Sequence, residues 1–262
     1  MTTLSADLDQ VARWAVRAPM PPSEWNPVYR ALLGDAADPD PAPSPAPAAD
    51  PPSAAELDLL LRQLTAPALL VLAVTTAEST ERLRIALAPE GATVETSRGQ
   101  EPSRWDECAL STVPRRLTEL LAGTGLGSAP AALGTDREIP PLRLSPDQQR
   151  AAQERLLAGV PAAEALAGLP DLDPRLRDAL TAEDLRVSVS LTLHDPRGRA
   201  TERPVTWSRL WVRGDRGLYR TDGVAAGPPE VRPVGDGDVL GTLLPLLEEG
   251  LRFALVTRAG AA

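Results

Sequence analysis

Leu185-Arg-Val-Ser-Val-Ser-Leu-Thr-Leu-His194 carries Leu or Val at every odd position, with Arg, Ser or Thr between them. A strand points successive side chains to opposite faces, so this period of two predicts one half-buried β-strand. Trp207–Val212 and Leu218–Thr221 read as two more strands joined through Gly214 and Asp215, and Glu230–Val234 as a short fourth. The period then changes. Leu240, Leu243, Leu244, Leu247 and Leu251 recur at helical spacing, which predicts a helix starting near Asp236 or Asp238 with a kink at Pro245.

The same order occurs earlier in the chain. Ser53 and Glu56 are spaced as a capping box, and Leu57, Leu60, Leu61 and Leu64 follow at i, i+3, i+4 and i+7. Leu69–Val74, Leu83–Leu87 and Ala92–Thr96 are β-prone, with Pro89 to Gly91 as the turn between the last two. Val113, Leu117, Leu120 and Leu121 then line a helix that Gly123 ends. The expected fold is α+β: a mainly antiparallel, twisted sheet built from two pseudo-repeated strand-and-helix units, with helices on one face and a helical group inserted between the units.

That insertion, residues 140–182, begins at a strong start signal, Ser145-Pro146 with Gln148, for a helix to about Ala158. Ala162 to Leu169 predicts a short helix, and Asp173-Pro174 starts another carrying Leu176 and Leu180. At the other end, residues 5–17 predict an amphipathic helix capped by Ser5, and a second helix starts at Asn26-Pro27 and stops before Gly34. Residues 35–52 hold seven prolines among Asp and Ala, and Pro-Ala-Pro-Ser-Pro-Ala-Pro fills 41–47. Such composition is solvated by default and reads as a linker, with a proline-recognition ligand as the other reading. The expected organisation is an N-terminal helical segment at 1–34, the linker at 35–52 and an α+β domain at 53–252. Its units are 53–123 and 185–252, and 253–262 forms a tail.

Across 262 residues, 43% are apolar but only 3% aromatic, so Leu, Val and Ala must fill the core. Thirty-six acidic residues outweigh 27 basic ones, all Arg, for a net charge of −9. A surface so acidic repels a phosphate backbone, and nucleic acid is not an expected partner. The longest aliphatic run, Ala68 to Val74, falls far short of the roughly 20 residues a membrane helix needs. Asp7 and Asp9 stand where a signal peptide carries positive charge, and the single Cys108 suits a reducing compartment, so a cytoplasmic location without membrane insertion is expected.

The residues that could carry chemistry are few. His194 precedes Asp195-Pro196-Arg197-Gly198, a turn sequence, with no nucleophile elbow anywhere in the chain; it is expected as a strand-end residue facing solvent. Cys108 follows Asp106 and Glu107, the opposite of the electropositive surroundings that make a thiol reactive. Gly123-Thr-Gly-Leu-Gly127 follows a helix instead of a strand, so it offers no phosphate cradle. Gly235-Asp-Gly-Asp238 lacks the further ligands of a calcium loop and reads as helix capping. One His and one Cys do not make a structural zinc site. No catalytic, cofactor-binding or metal-binding residue is therefore assigned, and no cofactor is expected. Trp207 and Trp211 share a strand face, as core or as an interface anchor, near Tyr219. An enzyme using paired carboxylates in a cleft, or an adaptor acting through its Pro-rich segment, stays open beside a protein-binding role.

Ala66-Pro-Ala-Leu-Leu-Val-Leu-Ala-Val74 through Pro114-Arg-Arg-Leu-Thr-Glu-Leu-Leu121, and Trp211-Val-Arg-Gly-Asp-Arg-Gly-Leu-Tyr-Arg220 through Val231-Arg-Pro-Val-Gly-Asp236 to Leu251, resemble in layout the EspG family, cytosolic chaperones of actinobacterial type VII secretion. The resemblance spans residues 53–252 and is one of element order. It implies two pseudo-symmetric halves and a non-catalytic chaperone. Its partner would be a helical secreted substrate of the PE/PPE type, kept soluble in the cytosol. The family supplies no catalytic residue to carry over, and the partner-binding residues stay unassigned.

Overall fold

The structure is a computed structural model that describes residues 2–17, 20–33, 51–127, 140–222 and 230–259. Nine strands form one sheet: β1 (Thr3–Ala6), β2 (Ala68–Thr76), β3 (Thr80–Ala88), β4 (Gly91–Arg98), β5 (Ser103–Cys108), β6 (Leu185–Leu193), β7 (Val205–Gly214), β8 (Gly217–Asp222) and β9 (Glu230–Val234). Their order is β1-β5-β4-β3-β2-β6-β7-β8-β9, and every neighbouring pair is antiparallel. With eight α-helices among the described residues, the fold is α+β, as the sequence predicts.

The helices are α1 (Leu8–Arg17), α2 (Pro27–Leu33), α3 (Ala54–Leu64), α4 (Val113–Ala122), α5 (Pro146–Leu157), α6 (Ala162–Ala167), α7 (Pro174–Thr181) and α8 (Asp238–Ala259). Three helices, four strands and one helix occur twice in succession, and β1 is added at one edge. The two halves meet at β2 and β6, nine residues each, whose midpoints Leu72 and Val189 are register partners. The chain thus has an internal two-fold arrangement. In it α5–α7 hold the place in the second half that α1–α3 hold in the first.

The expectation of helices on one face is corrected. Helices α4 and α8 cover one face, burying Leu117, Leu121, Val239 and Leu243 against Leu70, Leu72, Ile85 and Val187. On the opposite face α1–α3 pack over the first half, around Trp25, Trp105, Tyr29 and Leu60. On that same face α5–α7 pack over the second half, around Leu169, Leu176, Val212 and Tyr219. A sheet apolar on both faces needs both covered. Three of the chain's few Trp residues, Trp25, Trp105 and Trp211, are fully buried and add the bulk that aliphatic side chains lack.

Other boundaries also move. Ser5 lies in β1 and caps nothing; Asp7 starts α1, its carboxylate accepting from the Gln10 N–H at 2.7 Å while Gln10 Oε1 accepts from the Asp7 N–H at 3.0 Å. The first unit gains β5, whose Ser-Arg-Trp-Asp-Glu-Cys text is too charged to read as a strand; Trp105 alone supplies its buried anchor. Residues 253–259 continue α8 instead of forming a tail, and the helix runs through Pro245. In α3 the Ser53–Glu56 capping box forms, but the buried face is Leu59, Leu60, Gln63 and Leu64, with Leu57 and Leu61 half-buried. Of the Pro-rich stretch, residues 35–50 lie outside the described residues.

A buried polar network fixes the N-terminal layer. Glu95 on β4, with no exposed surface, accepts from the Tyr29 hydroxyl at 2.6 Å and the Ser103 hydroxyl at 2.9 Å, and pairs with Arg84. Gln63 donates to the Tyr29 oxygen and to the Arg84 carbonyl, both at 2.9 Å. Buried charge is tolerable only when its partners surround it. Burial, then the Glu95 charge, push the Tyr29 hydroxyl well above its ordinary pKa, so it stays a neutral donor.

Candidate partner-binding face

On the face shared by the two helical layers, β6 and β7 carry no helix over their middle. The alternation first read in Leu185–His194 places Val187, Val189 and Leu191 in the core and leaves Arg186, Ser188 and Ser190 pointing away from it. Ser188 pairs with Leu210 and Ser190 with Ser208, so β7 continues the same strip with Thr206, Ser208 and Leu210. Ser188, Thr206 and Ser208 are exposed, Ser190 and Leu210 half-exposed. Ser188, Ser190, Ser208 and Leu210, with Arg209 and Thr221, line an open depression of about 450 Å³. Ser188, Ser190, Ser208 and Thr221 make the lining rich in hydroxyls, so it can exchange hydrogen bonds with a partner.

The flanking second-half layer is thinly packed. Helix α5 fully buries only Ala152, and Leu156 and Leu157 at its end are exposed, Leu157 at 81%. Helix α7 is held better. Its Asp178 accepts from the Tyr219 hydroxyl at 2.8 Å and from the Asp215 and Arg216 N–H groups at 3.0 and 2.9 Å, which locks the β7–β8 turn. Burial, then the Asp178 hydrogen bond and charge, raise the Tyr219 hydroxyl to about 12.

The residues singled out in the sequence do not converge. His194 is buried, not solvent-facing as expected: its backbone N–H donates to the Pro67 carbonyl at 2.8 Å, and the residue is 5% exposed. Cys108 ends β5 half-buried. Within Gly123–Gly127, Leu126 is fully buried beside α4 and Gly125 takes φ +72°, a helix-end turn. Asp238 opens α8 and accepts from the Trp211 indole at 2.8 Å and the Arg220 guanidinium at 2.9 Å; Asp236 pairs with Arg213 at 2.6 Å. Trp211 is core, whereas Trp207 is half-buried beneath the Arg209 guanidinium at 4.9 Å.

Acidic clefts were the rival to a binding face. One of about 640 Å³ holds Glu81, Glu101 and Asp106, but Glu81 pairs with Arg98 at 3.1 Å and Asp106 with Arg116 at 2.6 Å. Glu81 and Asp106 are thus engaged by guanidinium groups, which leaves them badly placed for general acid or base work. Among the described residues no group of three or more His, Cys, Asp or Glu is placed to hold a metal ion. No helix among them is long and apolar enough to cross a membrane.

The bare strip escaped the sequence reading. Its one signal was the β6 alternation itself: a central strand of a sheet covered on both faces should be apolar throughout, and this one is not.

No protein-family model matches the chain. No curated protein matches it either. Among solved structures, the Mycobacterium tuberculosis type VII secretion system chaperone EspG5 in complex with a PE25-PPE41 dimer aligns over 98% of this chain and 96% of its own, at 12% identity and a TM-score of 0.47.

Proposed function

We propose that the chain is a non-catalytic, cytosolic chaperone that binds a helical type VII secretion substrate of the PE/PPE type. The observation that carries a binding role is the bare β6–β7 strip between two helical layers, an interior sheet surface left open where a compact monomer would close it. The layout resemblance of residues 53–252 supplies the client class. A helix laid along the strip meets the hydroxyls of Ser188, Ser190 and Ser208 and the half-exposed Leu210, and Leu156 and Leu157 offer apolar area on the same side of the sheet. The pairing of Glu81 and Asp106 with arginines supports binding over catalysis in that cleft.

The test is co-expression with PE/PPE-type candidates encoded near the gene, followed by size-exclusion chromatography with light scattering. A 1:1 complex with one of them is expected. If every candidate elutes alone, the chaperone reading fails.

A further inference from the structure

His194 follows β6 in the second half, yet groups of the first act on it: its backbone N–H donates to the Pro67 carbonyl at 2.8 Å, and its ring feels the charge of Arg30 in α2 and reaches the Ser23 carbonyl of the 3-10 turn Pro22–Glu24. Asp195 adjoins it in the chain. The residue is 5% exposed, and apart from the Ser23 carbonyl neither ring nitrogen has a polar partner. A neutral imidazole tolerates this at modest cost. An imidazolium would be a buried cation facing another, Arg30.

Asp195, the one carboxylate beside it, is committed elsewhere. It accepts from the N–H groups of Arg197, Arg199 and Ala200 at 3.0, 2.8 and 2.7 Å, and the Arg199 charge also acts on it. The Ser23 carbonyl is an acceptor but carries no charge, and Glu24 of the same turn is exposed. We propose that His194 is a proton-sensitive latch between the halves: taking up a proton loosens the Pro22–Glu24 turn and the start of α2 from the end of β6. The movement stays local, because Asn26 holds the layer to the α3–β2 junction, donating to the carbonyls of Leu64 at 2.7 Å and Ala66 at 3.0 Å.

The direction follows from the ring's surroundings. Burial first, then the Arg30 charge, set its pKa below the ordinary histidine value, with Asp195 and the Ser23 carbonyl opposing. The latch is therefore fully closed above about pH 6.5, the ordinary value, and weakens as pH falls through the window down to the lowered one. It does not depend on what the sheet face binds.

Hydrogen exchange of the intact chain, expressed as protection factors so that the intrinsic pH dependence cancels, tests it at about pH 7.5 and about pH 5.5. In the wild type, amides of residues 20–33 should lose protection about threefold or more at the lower pH, within a ceiling of about tenfold per pH unit for one proton, while 68–76 hold theirs. His194→Phe, and His194→Gln should the larger ring not be accommodated, should show no such loss. Equal protection at both pH values in the wild type overturns the latch. So does a loss that persists in the non-titrating variants, or one shared equally by residues 68–76.

Discussion

Asp178 and Tyr219 are joined by a 2.8 Å hydrogen bond that ties α7 to β8, and the same carboxylate caps the β7–β8 turn through two backbone N–H groups. Asp178→Ala should cost about 2–3 kcal/mol in urea unfolding, because hydrogen bonds to an ionised acceptor are worth about twice neutral ones. Asp178→Asn, which keeps one acceptor oxygen, should lose less. The Tyr219 pKa is raised to about 12, so its contribution is complete below the unfolded value near 10 and disappears as pH climbs through the folded one. Ultraviolet titration should show both tyrosines, Tyr29 and Tyr219, ionising late in the wild type, and one of them earlier in Asp178→Ala.

Glu95→Ala should be among the most damaging single changes, at about 3–5 kcal/mol, since it strands the buried Arg84 and removes the acceptor of Tyr29 and Ser103. The double variant Glu95→Leu, Arg84→Leu should cost less than the sum of the two single leucine changes. A double-mutant cycle by urea denaturation measures this; strict additivity would mean the two groups do not share one network.

Gly250 lies where α8 crosses the sheet. A Cβ there would stand 2.6 Å from Leu87 Cδ1, 3.3 Å from Leu191 Cδ1 and 3.5 Å from Ala68 Cβ. Helix propensity alone favours Ala over Gly by about 1 kcal/mol, but overpacking a close helix–sheet contact costs about 1–3 kcal/mol. Gly250→Ala should therefore be neutral to destabilising, and Gly250→Val clearly destabilising. Thermal midpoints of both variants decide it; a stabilised Gly250→Ala would show that the contact has room.

The binding face makes its own prediction. Ser190→Arg and Ser208→Arg, at half-exposed and exposed positions, should leave the thermal midpoint nearly unchanged yet weaken the client complex tenfold or more, on the order of 1.4 kcal/mol. Arg252→Ala on the exposed surface of α8, across the sheet, should leave affinity unchanged. Because hydroxyls dominate the strip, added salt should weaken the wild-type complex only mildly. Calorimetric titration of the three variants measures all of this, and undiminished affinity in both serine variants would move the interface elsewhere.

Local pattern alone determined much of this protein. The Leu/Val alternation of β6, the leucine spacing of α8, the Ser53–Glu56 and Ser145–Gln148 capping boxes and the turn at Pro89–Gly91 each depend on residues within a few positions of one another. They also gave the two-unit order. Only the tertiary structure decided what depends on partners distant in sequence. β5 is a strand because Trp105 finds a pocket under α1–α3, although its other residues are mostly polar. His194 is buried at a junction with the other half of the chain, where its backbone N–H meets the Pro67 carbonyl and its ring feels Arg30 and Ser23. The serines of β6 and β7 form a face because α1–α3 and α5–α7 stop short of each other. A polar residue on a strand reads the same whether a helix covers it or not, since coverage is set by the reach of elements elsewhere in the chain.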